Sequence, residues 1–278
     1  MLVRAFRPDD VAFAAHLANL EGWAVTAQDY ETLLELEPGG CFVAEVEGRP
    51  VGTVTSITYG KLGWIGNLVV ERACRGRDCG RRLLDRAVAH LVDRGVRTVG
   101  LDATAETVSF YRRAGFRAVC DVLHLERPGL AAPAAGNGSL LPIEARHLHA
   151  VTVFDWVYFG GRRRRLLRAL LQRSPVAYLA QDRRGVAGYL MARPGPQGWT
   201  IGPWVCVRAA ELLLARAMAE AGGAVLRLGV PALNEPALRL LQEQGFGVCG
   251  RQVRMYHGDQ EGIGQLRHIW AIASPDKG

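Results

Sequence analysis

Residues Asn67 to Ala87 read NLVVERACRGRDCGRRLLDRA. A short apolar run ends in the β-branched Val69 and Val70, an arginine- and glycine-rich bend follows, and then Leu83, Leu84, Ala87, Val88 and Leu91 recur at helical spacing. A bend that leads from strand into helix suits an anion. The first N–H groups of a helix lack internal partners, the helix dipole adds partial positive charge there, and glycine admits a ligand to the main chain. Arg75, Arg77, Arg81 and Arg82 add guanidinium groups that can grip phosphate oxygens in pairs. The same composition also serves an ordinary solvated connection, so the bend alone leaves both readings open.

Around this stretch the chain has 278 residues, 49% hydrophobic and 22% charged. That describes a soluble globular protein with core enough for two domains of about 130 to 140 residues. The formal net charge is +7, and since the only lysines are Lys61 and Lys277, arginine supplies 32 of the 34 cations. We read this as mild attraction for anionic ligands, without a nucleic-acid partner. The run Arg162 to Arg165 precedes Leu166, Leu167, Leu170 and Leu171 and reads as the solvated first turn of a helix. Cysteines 41, 74, 79, 120, 206 and 249 form no CxxC pair and no metal-ligand cluster with histidine, so reduced thiols in a cytoplasmic protein and no metal are expected. Met1 to Asp10 lacks the apolar core of a signal peptide, and no segment approaches the roughly 18 to 20 apolar residues of a membrane span.

Periodicity and turn residues give the order of elements. Leu2 to Arg7 alternates as a strand, and Asp9 or Asp10 caps a helix over Val11 to Leu20. A second helix runs from Thr26 or Ala27 to Leu36. Cys41 to Val46 and Val51 to Tyr59 form a hairpin around Glu47-Gly48-Arg49-Pro50. Trp64 to Val70 is the strand before the bend, and its helix ends near Arg94 at Gly95. Arg97 to Asp102, Thr107 to Ala114 and Phe116 to Leu125 add a strand, a short helix and a last strand. The pattern predicts an α/β fold around a twisted mixed sheet flanked by helices. Pro128 to Gly138, PGLAAPAAGNG, is poor in large apolar groups and marks a linker over 128–139, between domains at 1–127 and 140–278.

The second half repeats the first. Phe42-Val43-Ala44 corresponds to Tyr178-Leu179-Ala180 and Gly52 to Gly188, at an offset of 136; Leu83-Leu84 corresponds to Leu213-Leu214 and Gly115-Phe116 to Gly245-Phe246, at an offset of 130. The difference falls between Val70 and Leu83, so the second copy lacks the Arg/Gly bend. It also has Leu241 where the first has Tyr111. Two polar features vanish together, which assigns the chemistry to the first copy and packing, substrate shaping or pairing to the second.

These residues resemble the GNAT superfamily of acyl-CoA-dependent N-acetyltransferases. The strand WIGNLVV, the bend RGRDCG and FYRRAGF at Phe110 to Phe116 carry the resemblance over Leu2 to about Arg127. The second half is similar to the degenerate acetyltransferase-like domain that follows the catalytic one in a tandem subgroup. Gly22-Trp23, Thr26, Asp29-Tyr30 and Leu101 to Thr104 match further patterns of that subgroup. The resemblance implies that Leu68, Val69 and Val70 pair with the pantetheine arm of acetyl-CoA, and that the N–H groups of Gly76 to Gly80, with Arg75, Arg77, Asp78, Cys79 and Arg81 around them, receive its pyrophosphate. Thr104 would donate a further hydrogen bond. A small-molecule or peptide amine would attack the thioester directly, with Tyr111 protonating the thiolate; the ordinary pKa values of phenol and thiol lie near 10 and 8.5.

The bend departs from the family pattern at Asp78, which replaces its central glycine. The general base is unassigned: Trp64 stands where some relatives carry a carboxylate, which leaves water, Asp29 or Glu21. Trp23, Asp29, Tyr30 and Trp64 are candidates for the acceptor site. Non-catalytic binding or sensing of acyl-CoA is the alternative function. A single-chain pseudo-dimer or a homodimer is the expected assembly.

Overall fold

The computed structural model describes residues 1–129, 139–260 and 262–278, so most of the expected linker, 130–138, lies outside the described residues. In the first half, β1 (Leu2–Ala5), α1 (Val11–Leu20), α2 (Ala27–Leu36), β2 (Cys41–Val46), β3 (Arg49–Tyr59), β4 (Leu62–Val70), α3 (Cys79–Asp93), β5 (Thr98–Thr104), α4 (Val108–Arg113) and β6 (Arg117–Arg127) follow one another. The second half repeats the order as β7 (Leu141–Pro142), α5 (Leu148–Phe159), α6 (Arg164–Arg173), β8 (Val176–Asp182), β9 (Gly185–Gly195), β10 (Gly198–Cys206), α7 (Ala210–Glu220), β11 (Leu226–Pro231), α8 (Glu235–Glu243) and β12 (Gly247–Gly258), then adds β13 (Ile269–Ala271).

Local chemistry sets these boundaries. Glu47 and Gly48 both take positive φ (52° and 77°), which turns the β2–β3 hairpin. Thr26 caps α2 by accepting from the Asp29 N–H, and the Asp29 carboxylate returns a bond to the Thr26 N–H. Leu83, Leu84, Ala87 and Leu91 put the apolar face of α3 on the sheet.

All strands join one mixed sheet in the order β1-β2-β3-β4-β5-β12-β6-β11-β10-β9-β8-β7, with β13 on β10. The halves exchange their last strands. β12 lies antiparallel to β5 over Thr98–Thr104, while β6 lies antiparallel to β11 over Val122–Arg127. At the junction β6 and β12 pair with each other. One core cluster joins α1 and α2 to α5 and α6 across the halves; a second gathers around α3 and α4, and a third around α7 and α8.

The run Arg162 to Arg165 corrects the expectation of a wholly solvated turn. Arg163 is fully buried, with Nε and Nη2 each 2.9 Å from the Asp155 carboxylate and Nη1 2.8 Å from the Gly278 carbonyl. A desolvated guanidinium needs such a paired partner, and Asp155 on α5 supplies it.

Candidate active site

The site begins where β4 and β5 part. They pair in parallel only over Leu62–Trp64 with Thr98–Gly100. Beyond that, β4 carries an extra residue against β3 between Thr53 and Thr55, with Asn67 at φ 49°. Asparagine tolerates this left-handed conformation better than most side chains, and the bulge bends the strand. Ile65 to Leu68 and Leu101 to Thr104 then face a cavity of about 710 Å³ that also reaches Tyr111.

At its end β4 leads through residues 71–78 into α3. Gly76 has φ 76° with open space where a side chain would sit, and Arg77, Asp78 and Arg81 are exposed. Asp78 is the residue before α3, at φ 64°, and its side chain makes no capping hydrogen bond. Cys79 turns its buried thiol to the Arg77 carbonyl. Arg75 is committed within the protein: Nε donates to the Val70 carbonyl at 2.9 Å and Nη2 to Glu21 at 2.7 Å. Arg81 donates to Asp85 at 2.8 Å. The bend therefore offers main-chain N–H groups and Arg77 most openly.

Tyr111 packs edge-on between Phe110 and Phe116, with ring centroids at 5.0 and 5.8 Å. It is 8% exposed, and burial raises its pKa well above that of an ordinary phenol. It holds its proton across neutral and mildly alkaline pH.

The equivalent gap in the second half is filled. β10 pairs with β11 only over Trp199–Thr200, and β13 then enters the opening, with Trp204 opposite Ala271 and Val205 opposite Ile269. Ile272 N–H donates to the Gly229 carbonyl, and Trp270 Nε1 donates to the Cys206 carbonyl at 3.0 Å. Only residues 207–209 separate β10 from α7.

Residues 10–116 match the acetyltransferase (GNAT) family, and residues 151–271 match the acetyltransferase (GNAT) domain. The chain belongs to the GNAT superfamily, in tandem form. This GNAT chain is 27% identical to a holothin acyltransferase of a Pseudoalteromonas species over 270 residues, 94% of this chain and 89% of that one. Its fold matches the crystal structure of a Pyrococcus horikoshii protein assigned to the acetyltransferases, with TM-score 0.84 and 23% identity, covering 100% of this chain and 95% of that one. A tandem GNAT protein from the clavulanic acid biosynthesis pathway matches with TM-score 0.64 and 17% identity, covering 92% of this chain and 98% of that one. The protein is an acyltransferase.

Within this GNAT frame the acceptor candidates separate. Trp23 and Asp29 line the cavity. Trp64 and Tyr30 do not, which corrects their placement at the acceptor site. Trp64 is fully buried beneath the Arg254 guanidinium, 4.6 Å from its ring, and donates to the Pro275 carbonyl at 2.9 Å. Tyr30 is fully buried and stacked on Phe6 with ring centroids 5.8 Å apart. Both belong to the core because tertiary partners cover them. Leu68 and Thr104 line the cavity, whereas the Val69 and Val70 side chains are buried.

Neither carboxylate suggested as general base is set up for it. Arg75 and Arg72 hold the Glu21 carboxyl below its usual range. For Asp29, burial pushes the pKa up, but Lys277, Thr26 and Arg173 outweigh it and leave the pKa lowered. Four cavity groups were not anticipated: His124, whose ring meets the Gln252 side chain at 2.7 Å, and Arg193, Asp276 and Lys277. His124 enters on the exchanged strand β6, Arg193 on β9 of the second half, and Asp276 and Lys277 in the segment after β13, none of which local pattern reveals. Among the described residues no cluster of His, Cys, Asp and Glu could hold a metal ion, and no helix is long and apolar enough to cross a membrane.

Proposed function

We propose that residues 1–127 form the catalytic domain and residues 140–278 its degenerate partner, and that the first transfers an acetyl group from acetyl-CoA to a primary amine. The observation that carries this reading is the open gap between β4 and β5, flanked by the bend and by Tyr111, while β13 plugs the same gap in the second copy. Acetyl-CoA fits the residues present. An extended pantetheine arm would run along the edge of β4 that β5 leaves unpaired beyond Trp64, and open N–H groups at the helix start suit a pyrophosphate. Bound there, it supplies an acyl group activated as a thioester.

The protein's own groups do the rest. The β4 backbone orients the carbonyl, and main-chain N–H groups stabilise charge on its oxygen. The acceptor nitrogen forms its bond to the carbonyl carbon as the C–S bond breaks, and Tyr111 gives its proton to the departing thiolate. The surplus proton on nitrogen leaves to solvent, and Tyr111 is reprotonated from solvent. A general acid contributes about 10² to 10⁴ in rate. Tyr111→Phe is therefore expected to lose turnover by about that factor while keeping its thermal stabilisation by acetyl-CoA. The assay is CoA release over an amine panel. Stabilisation by acetyl-CoA with no amine-dependent release would favour acyl-CoA sensing instead. If acetyl-CoA neither stabilises the protein nor is consumed, both readings fail.

A further inference from the structure

The cavity wall facing the β4–β5 gap is built by the segment that follows β13. Ala273 to Gly278 folds back on itself, with the Gly278 and Lys277 N–H groups both donating to the Ser274 carbonyl. It lies hard against β4: a β-carbon at Gly66 would stand 2.5 Å from the Asp276 main chain. Asn67 Nδ2 donates to Asp276 Oδ2 at 3.2 Å, and Tyr59 Oη donates to the Lys277 carbonyl at 2.9 Å. The second half thus finishes the first half's acceptor side.

The charges gathered there do not cancel. Two carboxylates, Asp29 and Asp276, face three cations, Arg173, Arg193 and Lys277. Lys277 Nζ is 2.7 Å from Asp276 and 3.9 Å from Asp29, and Arg173 Nη1 is 3.3 Å from Asp29. Arg193 is the cation left over. Its Nη1 and Nη2 donate only to the main-chain carbonyls of Gly202 and Ala273, and no carboxylate among the described residues forms an ion pair with it. Desolvation lowers its pKa even though Asp29 and Asp276 act in the opposite direction. A partly buried guanidinium that no carboxylate pairs with directly is unfavourable, and an anion brought beside it relieves that.

We propose that the acceptor amine also carries a carboxylate, seated on Arg193 with Arg173 beside it, while its nitrogen lies along Asp276 at the Gly66–Asn67 edge of β4. The proposal rests on the acyltransferase reading above. An attacking amine must be neutral, so an amino-carboxylate in its reactive form bears a single negative charge. That charge cancels the surplus in the cluster. A simple alkylamine would leave it standing.

The test sets glycine, β-alanine and 4-aminobutyrate against glycinamide, methylamine and ethylamine, with CoA release and thermal shift measured on the full chain. At least one amino-carboxylate is expected to be used with kcat/KM about ten- to hundredfold above the neutral amines, the range for a charge-assisted pair. Arg193→Gln should raise its KM by a similar factor with the KM for acetyl-CoA unchanged, and Arg193→Lys should recover part of the loss. Equal use of the amines and the amino-carboxylates by the unaltered protein overturns the proposal and leaves the acyltransferase reading standing. An Arg193→Gln effect confined to the KM for acetyl-CoA overturns it too. If acetyl-CoA neither stabilises the protein nor is consumed with any acceptor, the acyltransferase reading falls and this proposal with it.

Discussion

Asp78 occupies the position where the family pattern has glycine, and its φ of 64° explains why glycine belongs there. Aspartate tolerates the left-handed region better than most residues, so the turn survives at the price of a carboxylate in the bend proposed to receive the pyrophosphate. Asp78→Gly should therefore bind acetyl-CoA about three- to tenfold more tightly, as expected from removing one nearby charge in water. Its melting temperature should change little, because glycine also gains entropy when unfolded. Asp78→Ala should lose about 1 kcal/mol instead. Calorimetric titration with parallel melts checks both, and unchanged affinity in the glycine variant would mean that the carboxylate points away from the ligand. Tyr111 makes a prediction of opposite character. Since its pKa is raised, the proton that the proposed mechanism takes from it stays bound beyond the ordinary phenol value near 10, and kcat should show no alkaline limb below about pH 9.5. A limb near pH 8 that disappears in Tyr111→Phe would contradict this. The sequence singles out Tyr111 by contrast with its counterpart Leu241, and Tyr111 lines the cavity. Trp64 and Tyr30 were misplaced because nothing near them in sequence announces Arg254 or Phe6 as their covering partners.

At the level of elements, most strands and helices were legible from periodicity and turns, and α2 begins and ends where its capping threonine and leucine pattern place it. The strand order was not. β12 sits between β5 and β6, and pairing partners this distant leave no local trace. One ion pair fastens the exchanged strand: Arg254 Nε and Nη2 each lie 2.8 Å from the Asp102 carboxylate, and both side chains are fully buried. Removing one partner strands the other charge. Arg254→Met should destabilise the protein by about 3 to 5 kcal/mol, whereas Asp102→Leu combined with Arg254→Met should recover much of that loss. Urea denaturation of the two single variants and the double variant measures the coupling, and additive losses would show that the pair does not act as a unit.

For the whole molecule, the exchange bears on whether the halves can live apart. Residues 1–127 alone would keep β5 without β12, and β6 without either β12 or β11, leaving unpaired main chain in the middle of a sheet. The composition of 128–139 marks a linker between two domains, and its sequence carries no sign that strands are exchanged between them. In the intact chain those pairings are all satisfied internally, so the junction that would otherwise recruit a second copy is closed. We expect the full chain to run as a monomer of 30.3 kDa in light scattering. Residues 1–127 expressed alone should aggregate or self-associate and show no stabilisation by acetyl-CoA, while co-expression with residues 140–278 should return a one-to-one complex that acetyl-CoA stabilises. The contrast follows from the strand order: the second half supplies β12 to the sheet and Asp276 to the cavity, and a fragment lacking both has neither a complete sheet nor a complete cavity wall. A monomeric 1–127 fragment with a cooperative melt and full acetyl-CoA stabilisation would show that the exchanged strands are dispensable to the first half.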